Sequence, residues 1–158
     1  RRARPTRRDN DMTAPALVID TNVALDVLVF DDPATAPLKA ALDHGRARWL
    51  ATTSMRSELA RVLAYPAVVR RLGADPASAT AVLARFDALT TLVPTADKAP
   101  YTCKDADDQV FIDLAVAHRA ALLSKDAAVL CMARRLARLG VVVGSRWSES
   151  MSSVPPSP

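Results

Sequence analysis

Short apolar runs alternate along the chain with longer stretches in which apolar residues recur every three or four positions. The short runs are typical of buried strands, whereas the longer stretches have the period of amphipathic helices. Strands are predicted at residues 16–20, 48–51, 91–93, 121–124 and 141–143, and helices at 22–29, 34–44, 55–64, 77–89, 107–119 and 127–139. This alternation predicts an α/β fold, a three-layer α/β/α sandwich around a short parallel sheet of about five strands.

The two ends of the chain differ in composition from its centre. Residues 1–14 are rich in arginine and residues 145–158 in serine and proline, which predicts that both segments are disordered. Residues 15–144 are expected to form one domain. No apolar run approaches the ~20 residues that a membrane-spanning helix needs, and no segment resembles a signal peptide. We therefore expect a soluble, cytoplasmic protein without a membrane partner.

The net charge of +4 is unevenly distributed along the chain. Residues 1–11 contain five arginines and two aspartates, so they supply three of the four charges, and the remainder is nearly neutral. The net charge therefore does not indicate a particular kind of partner. The two cysteines, Cys103 and Cys131, lack the C-x-x-C spacing of zinc and redox sites, and we expect both to be reduced and inert.

Two of the predicted strands lead directly into an aspartate. Asp20 follows the apolar residues 17–19, and Asp126 follows the strand that ends in Ser124. Because α/β proteins bind ligands at the carboxyl ends of their parallel strands, we expect both carboxylates at one binding site. The alternative for each aspartate is a purely structural role, the capping of the helix that follows.

Further carboxylates lie on two predicted helices. Glu58 is the only glutamate outside the C-terminal segment, and it borders the apolar stripe of the helix at residues 55–64. It either faces a pocket or pairs with a neighbouring arginine on the surface. Asp105, Asp107 and Asp108 lie at the start of the helix at residues 107–119, and three carboxylates within four residues exceed what helix capping requires. A bound cation would relieve their mutual repulsion.

Together these residues predict a site for a divalent cation. Mg²⁺ and Mn²⁺ prefer oxygen ligands and are commonly held by a few carboxylates together with substrate phosphates. Such sites hydrolyse phosphodiesters by activating water and by neutralising the charge of the phosphate. A nucleotide-binding fold would instead need a glycine-rich phosphate loop, and the four glycines of this chain form none.

These motifs, in this order, resemble the PIN-domain family, and in particular the short bacterial VapC-like ribonucleases of toxin–antitoxin modules. The resemblance rests on residues 18–23, 57–66, 105–111 and 123–126. It implies that the catalytic residues and metal ligands are Asp20, Glu58, Asp108 and Asp126, supported by Asn22, Asp105, Asp107 and Ser124. Asp108 is preferred to Asp107 because it places Phe111 in the family's helix pattern.

The resemblance also implies a function and partners. By this resemblance, the protein is expected to be an endoribonuclease that uses Mg²⁺ or Mn²⁺ to cleave RNA. It is also expected to form a homodimer and to be neutralised by a small antitoxin protein. Apolar surface for such a partner is expected at Val68, Val69 and Leu72, unless this segment simply packs against the helix at residues 77–89.

The acidic residues also allow two other interpretations of the function. A phosphatase of the haloacid-dehalogenase type would need an acid two residues after Asp20, where this chain has Asn22. The stronger alternative is a catalytically silent PIN-like module that only binds RNA or a partner. Metal-dependent cleavage that disappears when Asp20 is replaced would distinguish the two possibilities.

Overall fold

The computed structural model describes residues 14–152, so that residues 1–13 and 153–158 of the two predicted disordered segments lie outside the described residues. Within this range the strands are β1 Ala16–Ile19, β2 Arg48–Ala51, β3 Thr90–Leu92, β4 Ala121–Leu123 and β5 Val143–Gly144. All neighbouring pairs are parallel, and the strand order is β3-β2-β1-β4-β5. The prediction of an α/β fold around a five-stranded parallel sheet is therefore confirmed.

The centre of the sheet is buried on both faces. Leu17, Val18 and Ile19 of β1 are at most 3% exposed, and Leu122 and Leu123 of β4 are fully buried. Because successive residues of a strand point to opposite faces, helices must cover both sides of these strands. Trp49 of β2 fills one part of this core, where its ring meets that of Phe86 edge-on with the centroids 5.1 Å apart.

Helices form at all the predicted positions, and a further helix forms at Pro66–Leu72, for which no bounds were predicted. The helices are Thr21–Leu28, Ala36–Asp43, Thr53–Val62, Pro66–Leu72, Pro76–Leu89, Gln109–His118, Ala127–Leu130 and Ala133–Ala137. Several start at a side chain that accepts a hydrogen bond from the backbone of the first turn, as Thr52 does from the N–H of Met55. The predicted helix at residues 127–139 is in fact two short helices, separated by a turn at which Met132 is buried in the core.

Two further features differ from the sequence-based expectations. Val68 is buried and Leu72 packs against the core, so Pro66–Leu72 is not the exposed apolar surface that its composition suggested. Packed structure also continues past residue 144, the predicted end of the domain. Trp147 is only 8% exposed, and the guanidinium of Arg46 lies 5.9 Å from the centre of its ring. One large aromatic side chain thus anchors a segment whose serine and proline content predicted disorder.

The topology brings particular chain segments together. The chain runs from β1 outward through β2 and β3, then returns to place β4 on the other side of β1. The strand order thus reverses between β1 and β4, and the crevice beyond their carboxyl ends is where open α/β sheets bind ligands. Asp20 and the segment from Ser124 to Asp126 follow these two strands. Across the described residues, no helix is both long and apolar enough to cross a membrane.

Candidate active site

Asp20 is fixed at the end of β1 by bonds to both of its carboxylate oxygens. Oδ1 accepts a hydrogen bond from the backbone N–H of Val23 at 2.9 Å, and Oδ2 accepts one from the hydroxyl of Ser124 at 2.5 Å. The residue is 3% exposed. Burial raises its pKa, and the two hydrogen bonds oppose this rise because they favour the carboxylate. Asp20 therefore caps a helix, as the structural alternative expected, and at the same time faces the crevice.

Ser124 connects Asp20 to Asp126. Its hydroxyl group donates to Asp20 and accepts a hydrogen bond from the backbone N–H of Asp126 at 3.0 Å. The Oδ1 atom of Asp126 in turn accepts from the N–H of Ala128 at 2.9 Å, which caps the next helix. The side chain of Lys125 takes no part in these contacts and instead forms an ion pair with the largely buried Asp26 at 2.5 Å. The loop after β4 is thus bound to Asp20 through Ser124 and to Asp26 through Lys125.

Three carboxylates converge beside this loop. Asp105, Asp108 and Asp126 each offer one oxygen atom, and these atoms lie within 4.8 Å of one another. Asp105 also accepts a hydrogen bond from the N–H of Asp107, which starts the 3₁₀ turn Ala106–Asp108. The cluster thus draws on two separate segments of the chain, which the sheet topology brings together.

Asp108 is the most perturbed member of this cluster. Its Oδ2 atom is shielded from solvent and has no hydrogen-bond partner among the described residues. Desolvation, followed by the adjacent carboxylate of Asp126 and the charges of Asp105 and Asp20, raises its pKa from 3.8 to about 7. An unpartnered carboxylate oxygen among other carboxylates fits a site for a hard divalent cation, because such ions take oxygen ligands.

Glu58 stands apart from the three converging carboxylates. It lies on the helix Thr53–Val62, its side chain is 38% exposed, and it forms an ion pair with Arg61 one turn further along. Both possibilities raised by the sequence therefore apply, because the same side chain also lines the cavity with the aspartates.

One open cavity of about 880 Å³ gathers the acidic residues. Its lining includes Asp20, Asn22, Glu58, Asp105, Asp107, Asp108 and Asp126. Ser124 is fully buried and reaches them through its hydrogen bonds. Of the two neighbours at the helix start, it is Asp108 whose carboxylate joins the converging cluster, whereas Asp107 is exposed. The remaining wall is largely apolar and includes Phe30, Tyr65 and Val110.

Two residues near the site have positions that the sequence left open. Arg61 lines the cavity, and the sequence allows it to be either a contact for RNA phosphates or a solvated surface charge. Gln109 holds the loop before the cluster, because its side chain accepts from the N–H of Cys103 and donates to the carbonyl of Tyr101 and to Asp113. A glutamine directly after Asp108 was a weak signal, since nothing in the sequence identified its distant partners.

Cys103 belongs to this loop, and its thiol shares a hydrogen-bond acceptor with that of Cys131. Both thiols donate to the carbonyl oxygen of Ala128, at 3.4 Å from Cys103 and 3.3 Å from Cys131. Both are free, and burial raises the pKa of the Cys103 thiol. A protonated, hydrogen-bonded thiol is a poor nucleophile, so Cys103 packs rather than reacts.

Most of the chain is similar to a known protein family. The family profile described as PIN domain matches residues 16–128. The matched segment begins with β1 and ends in the helix Ala127–Leu130, so it contains every acidic residue of the cavity lining. A search of curated proteins found no match.

Proposed function

The chain belongs to the PIN domain family, and we propose that it is a metal-dependent endoribonuclease that hydrolyses RNA phosphodiester bonds. PIN domains are generally metal-dependent nucleases, and this chain carries a carboxylate cluster where its sheet topology favours ligand binding. In our proposal Asp20, Glu58, Asp108 and Asp126 hold Mg²⁺ or Mn²⁺, and Asn22, Asp105, Asp107 and Ser124 support them.

The convergence of Asp105, Asp108 and Asp126 is the observation that carries this proposal. Three carboxylates this close repel one another unless a proton or a cation intervenes, and burial together with this repulsion raises the pKa of Asp108. A helix cap would require only one of them. Their oxygen atoms are the ligand type that Mg²⁺ and Mn²⁺ prefer, which supports a metal role over a structural one.

The residues of the chain have distinct tasks in this proposal. A bound divalent ion supplies Lewis acidity, which lowers the pKa of a water molecule and neutralises charge on the phosphate. Asp108 and Asp126 would hold the cation, Asp108 after losing the proton that burial and the neighbouring carboxylates favour. Asp20 and Ser124 fix the loop that carries Asp126, because their hydrogen bonds join the ends of β1 and β4.

We further propose that the protein is the toxin of a toxin–antitoxin pair in the cytoplasm. The resemblance to VapC-like ribonucleases supports this role. So does the composition of the cavity, because an apolar wall with Phe30, Tyr65 and Val110 adjoins the acidic end. A small antitoxin with an apolar helix face would suit such a wall. The second candidate function is a catalytically silent PIN-like module. Such a module would bind RNA or a partner in the same cavity but would not cleave RNA.

Replacement of Asp126 or Asp20 by asparagine tests the proposed activity. Each change keeps the shape and the helix-capping oxygen but removes a charge that the cation needs. We expect cleavage of single-stranded RNA in Mg²⁺ or Mn²⁺ to fall by about 100-fold or more, and a chelator to abolish the wild-type activity. Asp87→Asn is the matched control, because Asp87 is exposed and pairs with Arg56 outside the cavity.

The outcomes separate the two candidate functions. Full activity in Asp20→Asn and Asp126→Asn would show that the catalytic residues are assigned wrongly. If the folded wild-type protein binds RNA but never cleaves it in either metal, the silent module is correct. Circular dichroism of each variant verifies that a loss of activity is not a loss of folding.

A further inference from the structure

Arg61 is the only basic residue among the described residues that line the cavity. It shares the cavity wall with six carboxylates, those of Asp20, Glu58, Asp105, Asp107, Asp108 and Asp126. Its side chain is 64% exposed, so it extends into the open space above the wall rather than into the core. A polyanion that enters this cavity therefore meets one positively charged protein group.

The helix that carries Arg61 fixes where its charge can act. Leu59 anchors the helix in the core, and Ser54, Glu58 and Arg61 recur at helical spacing on the side that lines the cavity. Arg61 thus lies about one turn after Glu58, closer to the end of the helix. Arg56, in contrast, is on the same helix but binds Asp87 in two hydrogen bonds of 2.7 and 2.9 Å, outside the cavity.

The ion pair between Arg61 and Glu58 limits what each partner can bind. A carboxylate that already pairs with a guanidinium is less available to a cation, and the guanidinium is less available to a phosphate. An exposed ion pair of this kind is weak, so either partner can leave it at small cost. Glu58 would lose little by exchanging Arg61 for a divalent cation.

We propose that Arg61 is a substrate-binding residue that Glu58 holds until a cation replaces it. Once the cation occupies the acidic end, the guanidinium turns to a phosphate of the RNA. Arginine suits this task, because its planar group binds phosphate oxygens in pairs and it never loses its charge at physiological pH. This inference rests on the proposed nuclease function, since it assumes that the cavity binds both a cation and RNA.

The proposal predicts two effects of opposite sign for Arg61→Met. Cation binding should become about two- to fivefold tighter, because Glu58 no longer has a competing partner. Binding of single-stranded RNA should become about fivefold weaker, and its dependence on salt should fall by about 0.7 in the log–log slope, the amount expected for one lost phosphate contact. Methionine is a good helix former, so the helix itself should persist.

The experiment measures both bindings directly, without relying on activity. Calorimetry with Mn²⁺ gives the cation affinity. Fluorescence anisotropy with a short labelled single-stranded RNA, in Ca²⁺ and over a range of salt concentrations, gives the RNA affinity and slope. Ca²⁺ takes the same oxygen ligands, and gel electrophoresis checks that the RNA remains intact. Arg56→Met is the matched control, and Arg61→Lys tests whether charge without the planar group restores part of the binding.

The possible results distinguish this proposal from the one on which it rests. Tighter Mn²⁺ binding together with weaker RNA binding in Arg61→Met, and neither change in Arg56→Met, would support the role of Arg61. Equal losses of RNA binding in both variants would reveal a general charge effect and overturn it, as would unchanged values in Arg61→Met. If the wild-type protein binds neither Mn²⁺ nor RNA, the proposed nuclease function itself fails.

Discussion

Asp108 is held in an environment that favours its protonated form. One of its oxygen atoms is shielded from water without a hydrogen-bond partner among the described residues, and Asp126 lies beside it. Its pKa of about 7 in the folded protein compares with 3.8 for an unperturbed aspartic acid. Near neutral pH the metal-free protein therefore binds a proton at this position that the unfolded chain has released.

This difference predicts how stability depends on pH in the absence of divalent ions. The stabilisation linked to the Asp108 proton is fully present below pH ~4 and is lost as the pH rises through about 7. We therefore expect the free energy of unfolding, measured by urea denaturation in a chelator, to fall over this range in the wild type. Asp108→Asn should have a distinctly flatter profile, because an amide does not titrate.

Asp87→Asn provides a control for this pH profile. Arg56 lowers the pKa of Asp87, so the contribution of Asp87 to stability has the opposite sign and is lost as the pH falls through that pKa. Removing Asp87 should leave the decline above pH ~5 in place. An unchanged decline in Asp108→Asn would contradict the perturbed ionisation of Asp108.

At the level of secondary-structure elements, Ser124 joins two strands and a helix. It lies just after β4, donates to Asp20 after β1, and accepts from the backbone of Asp126 before the helix Ala127–Leu130. It is completely buried, so its hydrogen bonds do not compete with water. The position of both strand-end carboxylates thus depends on one hydroxyl group.

Ser124→Ala should therefore affect both stability and metal binding. It leaves Oδ2 of Asp20 without a donor and the N–H of Asp126 without an acceptor, which should lower the free energy of unfolding by about 1–3 kcal/mol. Mn²⁺ affinity, measured by calorimetry on the folded variant, should fall about 10- to 100-fold because the carboxylates lose their orientation. Ser124→Thr keeps the hydroxyl and should retain most of that affinity. Full affinity in Ser124→Ala would mean that the carboxylates are positioned by other contacts.

For the molecule as a whole, cation binding should appear as an increase in thermal stability. A ligand that binds only the folded state stabilises it, so Mg²⁺ or Mn²⁺ at about 100 times its dissociation constant should raise the melting temperature by about 5–10 °C. The double variant Asp20→Asn, Asp108→Asn should show no such increase in differential scanning fluorimetry. Equal shifts in both proteins would place the ion elsewhere.

The association state is a second property of the whole molecule. We predict a homodimer that also binds a small antitoxin, and the exposed apolar residues Tyr65 and Val110 at the cavity wall are candidates for the antitoxin contact. Size-exclusion chromatography with light scattering at micromolar concentration should give twice the chain mass. Co-expression with the adjacent reading frame should yield a stable complex and restore growth. A strictly monomeric mass contradicts the dimer, and harmless expression without any binding neighbour contradicts the toxin role.

The sequence by itself determined the class of fold and the residue types of the site. Local periodicity located the five strands and most of the helices, because burial on one face or on both leaves a pattern within each element. Strand ends were visible in the same way, which is why Asp20 and Asp126 could be recognised as candidates. The acidic residues that the family resemblance named all line the cavity, and Asp108, which it preferred to Asp107, lies among the converging carboxylates.

Only the tertiary structure decided which of these residues meet. Asp105, Asp108 and Asp126 converge because a loop held by Gln109 and the segment after β4 lie side by side, a contact between distant positions that leaves no local pattern. For the same reason the sequence did not reveal that Arg61 lines the cavity, that Trp147 is buried, or that Val68 faces the core. Each of these outcomes depends on which residues of other elements pack against a side chain. The periodicity of a single element does not contain that information.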